Sequence, residues 1–414
     1  MPTARILSVG DELILGRVTD TNATFLCRLL TDQGFRVVGS QQVGDGQADL
    51  VTAIRYACAD VDLVVISGGL GPTDDDRTRH ALADVLGVEL REHGPSWAAI
   101  VRRYTQVAPG RDIPPNNRRQ ALVPRGAKTL ANDRGTAPGV LATVKTGSRR
   151  TLVAVFPGVP HEMKAMATRV VERLPQHFSN LTRPSITEIW LAGTGESAAQ
   201  QRLGDLLTEA NPQVGITVSE LGHITIRIVG KPRQVATTAR KIRACLGEFL
   251  LPESTVAASV VAHVAKHGGT LTAAESCTGG HVAALITAVP GASTVFRESL
   301  VSYHVSAKAS RLGVSAEIIE QGVVREACAR AMAIGALSRS LATIAVATTG
   351  IAGPTGGTTE TPVGTVWLAV ATKRGTAARK VMIQGTRERI QARAATAAMQ
   401  LVWDILIGRT VTDD

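Results

Sequence analysis

The hexapeptide Glu275–Gly280 (ESCTGG) constrains the possible folds of this chain more than any other stretch. It follows a short apolar run of strand type, Gly269–Ala274, and precedes His281–Ile286, which has helical composition. A strand that stops at a small, hydroxyl-rich turn and starts a helix leaves backbone N–H groups unpaired. Such donors favour a phosphate or a developing oxyanion, and a serine beside them can attack a carbonyl. The alternative is that Ser276 or Thr278 only caps the helix.

Two later segments favour a functional turn. Lys308 ends the segment Tyr303–Lys308 (YHVSAK), and the glycine-rich stretch Thr349–Gly357 follows the strand-like Ile344–Thr348. A hydroxyl group, a lysine and a second glycine-rich loop therefore all follow predicted strands. Ligands of open α/β sheets bind at the carboxyl ends of the strands. The sequence thus predicts one site that contains Ser276 and Lys308.

Another glycine-rich loop, separate from these two, lies near the amino terminus. The strand-like run Asp62–Ile66 leads into Ser67–Thr78 (SGGLGPTDDDRT), and the loop Gly68–Thr73 offers N–H groups to a phosphate. The loop has neither the lysine of a P-loop nor the GxGxxG spacing. Earlier strands, beginning at Ala4 and Arg36, alternate with helices, and this order predicts a parallel, doubly wound sheet.

Carboxylates accumulate near the same predicted strand ends. Those that follow the loop could bind a divalent cation through oxygens that also touch a phosphate. They could equally be ordinary first-turn residues, which the helix dipole favours. Three further carboxylates follow the first predicted strand, at Asp11, Glu12 and Asp20, and they favour a carboxylate cluster. The candidate metal ligands are Asp75, Asp76, Asp11, Glu12 and Asp20.

Composition bounds the size and the partners of the protein. A chain of 414 residues exceeds one ordinary core, so we expect two or three domains. The net charge of +10 suits anionic ligands and raises nucleic acid as a partner, but the paired arginines are dispersed without interleaved aromatics. Nucleic acid is therefore not expected.

Five widely spaced cysteines indicate neither disulfides nor a zinc site. No signal peptide or membrane-length run is found, so we expect a soluble, cytoplasmic protein.

The motifs AESCTGG, Y…K, GIAGPTGG and PVGTV together resemble the C-terminal domain of the competence/damage-inducible protein A (CinA) family. The resemblance runs from about Val256 to the end of the chain, and in that family the domain is a nicotinamide-nucleotide amidase. It implies a Ser276 nucleophile, a Lys308 base and a Tyr303 that positions groups or relays protons. No cofactor is implied there. The substrate contacts that it implies are Glu275, Thr278, Gly279, Gly280, Gly350, Gly353 and Arg387, with Arg387 on the nucleotide phosphate.

The amino-terminal half carries a second resemblance. GDEL, GGLGPTDDDRT and FPGVPHEM resemble the N-terminal CinA domain, which is related to molybdopterin-binding proteins, and the match covers roughly Ala4 to Val171. It implies an ADP-ribose pyrophosphatase that requires a divalent metal ion, with a pterin as the competing ligand. The implied ligand contacts are Gly68, Gly69, Gly71, Thr73 and Asn22. A β-α-β-β-α pattern from Ile186 to Leu250 corresponds to the KH-like module of full-length CinA proteins, although no GXXG loop separates its helices.

These observations predict an α/β protein with two three-layer αβα domains joined by a small α+β (KH-like) module. The expected domains are residues 1–180, 181–250 and 255–414. The expected reaction converts nicotinamide mononucleotide (NMN) to nicotinate mononucleotide and ammonia, beside possible cleavage of ADP-ribose. The alternative is a pterin- or nucleotide-binding regulator. The resemblance also implies a homodimer.

The chain departs from the family pattern near the predicted substrate wall. Val305 stands where the family motif YSNxxK has asparagine. Arg297–Leu300 (RESL) stands where a Gly-Gly commonly precedes that strand, so Glu298 and Ser299 are also unusual. These differences leave Ser276 and Lys308 in place and bear on substrate specificity.

Overall fold

The structure, a computed structural model, describes residues 1–208 and 211–409. The chain divides into two compact units, Met1–Pro184 and Ser185–Asp414. The last five residues of the third expected domain, 410–414, lie outside the described residues. Within the described chain, no helix combines the length and apolarity needed to cross a bilayer.

Eight strands and six α-helices form the described part of the first unit. The strands are β1 (Thr3–Val9), β2 (Arg36–Val43), β3 (Leu63–Ser67), β4 (Leu90–Glu92), β5 (Leu122–Pro124), β6 (Lys128–Leu130), β7 (Gly139–Thr146) and β8 (Arg149–Phe156). The helices are α1 (Asp11–Ile14), α2 (Thr21–Asp32), α3 (Gln47–Ala57), α4 (Thr78–Leu86), α5 (Gly94–Val107) and α6 (Pro160–Val171). Short 3₁₀ turns cover Pro115–Ala121 and Leu174–His177.

The main sheet of this unit is mixed rather than wholly parallel. Its strand order is β2-β1-β3-β8-β7-β6. The parallel pairing of β1 with β2 and β3 confirms the predicted start of the sheet, and β8 joins it in the same direction. The prediction was wrong for β7, which runs antiparallel to both of its neighbours, β8 and β6. Only Gly147 and Ser148 connect β7 to β8, and such a short loop makes a hairpin, not a crossover.

Helices cover both faces of the sheet. All five residues of β3 are buried, as expected for a strand between two layers of helices. One face packs on α2 and α6 through Leu26 and Met163, and the other packs on α3 and α4 through Ile54 and Leu82. The three-layer arrangement predicted for this unit is confirmed.

The second unit contains nine strands and eight α-helices among its described residues. The strands are β9 (Ser185–Leu191), β10 (Gln213–Val218), β11 (Ile224–Gly230), β12 (Leu250–Leu251), β13 (Leu271–Glu275), β14 (Phe296–Val301), β15 (Ile344–Gly350), β16 (Thr365–Thr372) and β17 (Gly375–Met382). The helices are α7 (Glu196–Leu203), α8 (Pro232–Leu246), α9 (Val256–Lys266), α10 (His281–Thr287), α11 (Val305–Leu312), α12 (Ala316–Glu320), α13 (Glu326–Ser340) and α14 (Arg387–Leu406). Short 3₁₀ turns cover Gly204–Leu207, Gly247–Phe249 and Ala292–Thr294.

Two separate sheets organise these elements. The antiparallel sheet β10-β11-β9-β12 packs its apolar face against α7 and α8, which is the predicted α+β module. The second sheet has the order β14-β13-β15-β16-β17. Its cores contain Val260 and Leu401 on the side of α9 and α14, and Met332 on the side of α13. The predicted three-layer arrangement is therefore confirmed here as well.

Candidate active site

Strand β13 of the five-stranded sheet positions the nucleophile candidate. β13 runs parallel to both neighbours, with Glu275 opposite Val301 and Thr348. All three strands therefore end at the same edge. The Ser276 N–H donates to the carbonyl of Thr348 (3.0 Å), and the Ser302 N–H donates to the carbonyl of Glu275 (2.8 Å). These bonds place Ser276 at the sheet edge, before the turn into α10.

Lys308 meets Ser276 at this edge. Its Nζ lies 2.9 Å from Ser276 Oγ and donates to the carbonyl of Ser302 (2.7 Å). Ser276 is 8% exposed and Lys308 1%. Helix α11 presents the lysine and begins after His304, whose ring accepts a hydrogen bond from the Ser306 N–H. The structure thus brings together the two residues that the sequence predicted as nucleophile and base.

Burial controls the protonation of the groups around this pair. Desolvation lowers the pKa of the Lys308 ammonium, and the thiols of Cys277 and Cys328 oppose this weakly. A lowered pKa makes the neutral amine, which can accept a proton, more accessible. Burial also raises the pKa of the Cys277 thiol to about 12, so Cys277 stays protonated at neutral pH.

Glu275 does not have the predicted role of a substrate contact. Its side chain is completely buried. The carboxylate accepts five hydrogen bonds, from Thr278 Oγ1, Ser299 Oγ and the N–H groups of Gly280, Val282 and Ala283. A carboxylate at a helix amino terminus is stabilised by unpaired N–H groups and by the helix dipole. Glu275 therefore holds the turn and the start of α10.

This cap changes the expected set of oxyanion donors. The Gly280 N–H donates to Glu275 Oε2 (2.9 Å), and the Gly279 N–H donates to the carbonyl of Ser276 (3.1 Å). Both were predicted donors, and both are already occupied. The N–H groups of Cys277 and Thr278 have no oxygen acceptor among the described residues. The predicted contacts of the turn did not include the Cys277 N–H.

Tyr303 and Arg387 contact each other instead of the serine–lysine pair. Tyr303 is 54% exposed, and its hydroxyl accepts a hydrogen bond from the Arg387 guanidinium. Arg387 also donates to the carbonyl of Gly353 (2.6 Å). The tyrosine approaches Lys308 through its backbone carbonyl, at 3.4 Å. The predicted relay through the phenol therefore has no hydrogen bond to Lys308 or Ser276 in the described structure.

Gly350 is required for packing rather than for a ligand. A Cβ atom at this position would lie 2.5 Å from the carbonyl oxygen of Thr365. The glycine therefore lets β15 approach the neighbouring strand, and its predicted substrate contact is not supported. By contrast, Gly353 contributes its carbonyl to the Arg387 bond.

Sequence reasoning missed Gln391, which lies one helical turn after Arg387. Its Nε2 donates to the carbonyl of Cys277 (2.8 Å). Residues four apart share one face of a helix, so both side chains extend from the same side of α14, Arg387 to Gly353 and Gln391 to the turn at Cys277. The spacing of these two polar residues at the start of a long helix was the signal available in the sequence.

The first unit has a separate cleft of about 630 Å³. The residues predicted to contact a nucleotide lie on its wall, namely Gly68, Gly69, Gly71, Thr73 and Asn22. Four of the five predicted metal ligands also line it: Glu12, Asp20, Asp75 and Asp76. Asp11 does not line the cleft, and its carboxylate accepts a hydrogen bond from the Asp45 N–H (3.1 Å).

Asp76 organises the glycine-rich loop of this cleft. Its carboxylate accepts hydrogen bonds from the N–H groups of Gly71 (2.7 Å) and Thr73 (2.9 Å). These two amides are therefore not free to hold a phosphate, contrary to the prediction. Arg79, only 2% exposed, donates to the carbonyls of Leu70 and Gly71 (both 2.8 Å). Burial lowers the pKa of this guanidinium to about 10, which leaves it charged at neutral pH.

The predicted carboxylates do not fit a preformed metal site. Asp76 is occupied by the loop, and Asp20 caps α2 by accepting from the Ala23 N–H (2.8 Å). Throughout residues 1–208 and 211–409, no three His, Cys, Asp or Glu side chains form a group that could hold a metal. The cleft is nevertheless strongly acidic. Its described wall has no lysine, arginine or histidine and has six carboxylates: Glu12, Asp20, Asp45, Asp75, Asp76 and Glu162.

The fold and the site define a class: a multidomain α/β protein with a buried serine–lysine pair at a strand–turn–helix junction. The model of the CinA C-terminal domain matches residues 253–406. The model named "Probable molybdopterin binding domain" matches residues 5–176, and that of the damage-inducible protein CinA KH domain matches residues 187–249. The chain belongs to the CinA family.

Relatives match over nearly the whole chain. A CinA-like protein of Anaeromyxobacter sp. (strain Fw109-5) is 40% identical over 408 residues, covering 96% of this chain and 97% of the relative. A CinA-like protein of Frankia casuarinae is 37% identical, with coverages of 98% and 96%. Among solved structures, the protein CinA from Thermoplasma acidophilum is 34% identical over 42% of this chain and 97% of its own, with a TM-score of 0.37.

Proposed function

We propose that the second unit is an amidase that hydrolyses NMN to nicotinate mononucleotide and ammonia. The observation that carries this proposal is the distance of 2.9 Å between Lys308 Nζ and Ser276 Oγ in a buried setting that lowers the lysine pKa. A hydroxyl is a weak nucleophile until a neighbouring base accepts its proton. Lys308 is the group placed to do so.

The reaction follows from these positions. Ser276 Oγ attacks the carboxamide carbon while its proton moves to Lys308 Nζ. The resulting oxyanion accepts hydrogen bonds from the N–H groups of Cys277 and Thr278, which have no oxygen acceptor in the described structure. Loss of one such donor costs roughly 3 kcal/mol of transition-state stabilisation. Lys308 then returns the proton to the leaving nitrogen, and ammonia departs. Water attacks the acyl-serine by the same proton route, releasing the carboxylate product.

Arg387 supports a nucleotide rather than free nicotinamide as the substrate. It is exposed, and it lies at the amino terminus of the long helix α14 beside Tyr303. A guanidinium binds a phosphate through two parallel hydrogen bonds. We therefore assign the 5′-phosphate of the substrate to Arg387.

The test is ammonia release from the full-length protein with NMN, NAD, nicotinamide and nicotinamide riboside as substrates. We expect turnover of NMN and weak or no turnover of the compounds that lack the terminal phosphate. Preference for nicotinamide itself would contradict the role of Arg387. Absence of ammonia with all four compounds would contradict the amidase and favour a nucleotide-binding regulator.

A second activity, ADP-ribose cleavage, is proposed for the cleft of the first unit. The specific observation is its size and its acidic wall without a basic residue. A pyrophosphate would be repelled there unless cations accompany it, and Mg²⁺ commonly binds through few carboxylates plus substrate phosphates. Formation of AMP from ADP-ribose, measured with added Mg²⁺ and with EDTA, tests the proposal. Binding of a pterin without cleavage would favour the competing ligand.

We propose a cytoplasmic homodimer that acts on small nucleotides, without a role in binding membranes or nucleic acid. All five cysteines are free thiols, which suits a reducing compartment. Sedimentation of the full-length protein tests the dimer. RNA binding, measured at low and at high salt, tests the KH-like module, and we expect no binding at either salt concentration.

A further inference from the structure

We infer that Gln391 is a positioning residue that sets the direction and the donor strength of the Thr278 N–H. This inference rests on the proposed amidase and adds a residue that acts through the backbone of the nucleophile turn. Gln391 contacts neither Ser276 nor Lys308 by a hydrogen bond. Its single described bond, from Nε2 to the Cys277 carbonyl, is 2.8 Å long.

The geometry of the peptide group connects this bond to the oxyanion site. The Cys277 carbonyl and the Thr278 N–H belong to one planar peptide unit, which is trans. In such a unit the C=O and N–H bonds point in opposite directions. Gln391 therefore fixes the direction of the Thr278 N–H by holding the other end of the plane. A hydrogen bond at the carbonyl also polarises the amide and strengthens its N–H as a donor.

Apart from a contact of the Thr278 N–H with the Cys277 thiol, no other described hydrogen bond holds this peptide plane. Glu275 binds the side-chain hydroxyl of Thr278 and the N–H of Gly280, but not the Thr278 N–H. Gly279, with a φ of +59°, lies beside the glutamine, and a Cβ atom there would be 3.6 Å from Gln391 Nε2, an ordinary van der Waals distance. The glutamine thus lies directly against the turn, and helix α14 supplies a rigid base for it.

The experiment compares Gln391→Met and Gln391→Glu, which keep the length of the side chain but cannot donate, with Arg389→Met. Arg389 is exposed on the same helical turn and serves as the matched control. We expect kcat for NMN to fall about tenfold in both Gln391 variants, with KM within about threefold of that of the unmodified protein. The control should retain the unmodified kcat. Unfolding temperatures of all variants establish that the comparison is made on folded protein.

Pyridine-3-boronic acid supplies a readout that a merely structural role would not move. Its boron forms a bond to Ser276 Oγ while the hydroxyl proton moves to Lys308 Nζ, and the resulting tetrahedral boronate anion places an oxygen near the oxyanion donors. Its affinity should weaken by about the same factor as kcat, while the affinity of the product nicotinate mononucleotide stays unchanged.

Three results are decisive. A kcat in Gln391→Met within twofold of that of Arg389→Met would overturn the inference, and so would equal losses in boronate and product affinity. If the unmodified protein releases no ammonia but Gln391→Met weakens the boronate alone, the proposed amidase fails and the inference about the donor stands.

Discussion

Ser276 and Cys277 are neighbours, and the protein distinguishes them by their surroundings rather than by their intrinsic reactivity. A free thiol is the better nucleophile, but only as the thiolate. Burial raises the pKa of Cys277 to about 12, so its thiolate is scarce at neutral pH. The hydroxyl of Ser276 has the Lys308 amine at 2.9 Å. The serine is therefore the nucleophile that this geometry activates.

The first prediction separates the two residues. Ser276→Ala removes the attacking oxygen and should abolish ammonia release from NMN. Cys277→Ala should retain at least about a third of the activity, because the thiol stays protonated and its backbone N–H is unchanged. Ammonia is measured by a coupled assay on both variants. Loss of activity in Cys277→Ala alone would assign the chemistry to the thiol.

The second prediction concerns pH. The neutral amine of Lys308 is the active form, so the activity should rise as the pH increases through the pKa of the folded protein. Burial lowers this pKa below the ordinary value of 10.5, and the rise should therefore level off below that pH. Lys308→Arg keeps a cation that does not deprotonate and should be inactive at every pH. A pH profile of kcat/KM tests this, and a rise only above pH 10.5 would contradict it.

At the scale of the element, the sequence predicted the strand–turn–helix around Ser276 and the proximity of Lys308. Both depended on apolar runs of strand length, on glycines at the turn and on the rule that parallel strands end together. The role of Glu275 could not be predicted in the same way. A carboxylate beside a functional turn can face a ligand or face the backbone, and only the path of the chain distinguishes these. The same ambiguity applied to Asp76, which holds its loop by two N–H groups.

The antiparallel pairing of β7 with β6 and β8 was harder to predict for another reason. Strand β7 (Gly139–Thr146) alternates buried and exposed residues only in part, so its sequence carries a weak strand signal. Strand direction depends on the connection, which here is the two-residue turn before β8.

The third prediction tests the cap. Glu275→Gln replaces one acceptor oxygen by a donor that faces backbone N–H groups. It should lower the free energy of unfolding by about 2–3 kcal/mol and reduce ammonia release strongly, because the turn loses its support. Urea unfolding and the amidase assay measure both effects. Glu317→Gln, an exposed change on helix α12, is the control and should be nearly silent. Equal effects of the two substitutions would contradict the cap.

At the scale of the whole molecule, the charge is distributed unevenly. The protein carries a net charge of +10, yet the cleft of the first unit is lined by six carboxylates and by no basic side chain of the described chain. The site of the second unit instead presents Arg387 and a lysine of lowered pKa. The two sites lie on different sheets that pack on different cores. The two proposed chemistries therefore use different residues and opposite local charge.

The last prediction is that the two activities can be removed independently. Asp76→Asn retains one acceptor oxygen for two loop N–H groups, so the loop Gly68–Thr73 should lose its fixed shape and bind ADP-ribose at least about tenfold more weakly. AMP formation should fall in parallel, while ammonia release from NMN should stay within about twofold of that of the unmodified protein. Asp74→Asn is the matched control, because Asp74 is exposed and contacts Arg119 rather than the loop amides. Conversely, Ser276→Ala should leave AMP formation unchanged. Calorimetric titration with ADP-ribose and parallel assays of both products decide the outcome, and a joint loss of both activities in either variant would show that the two units are functionally coupled.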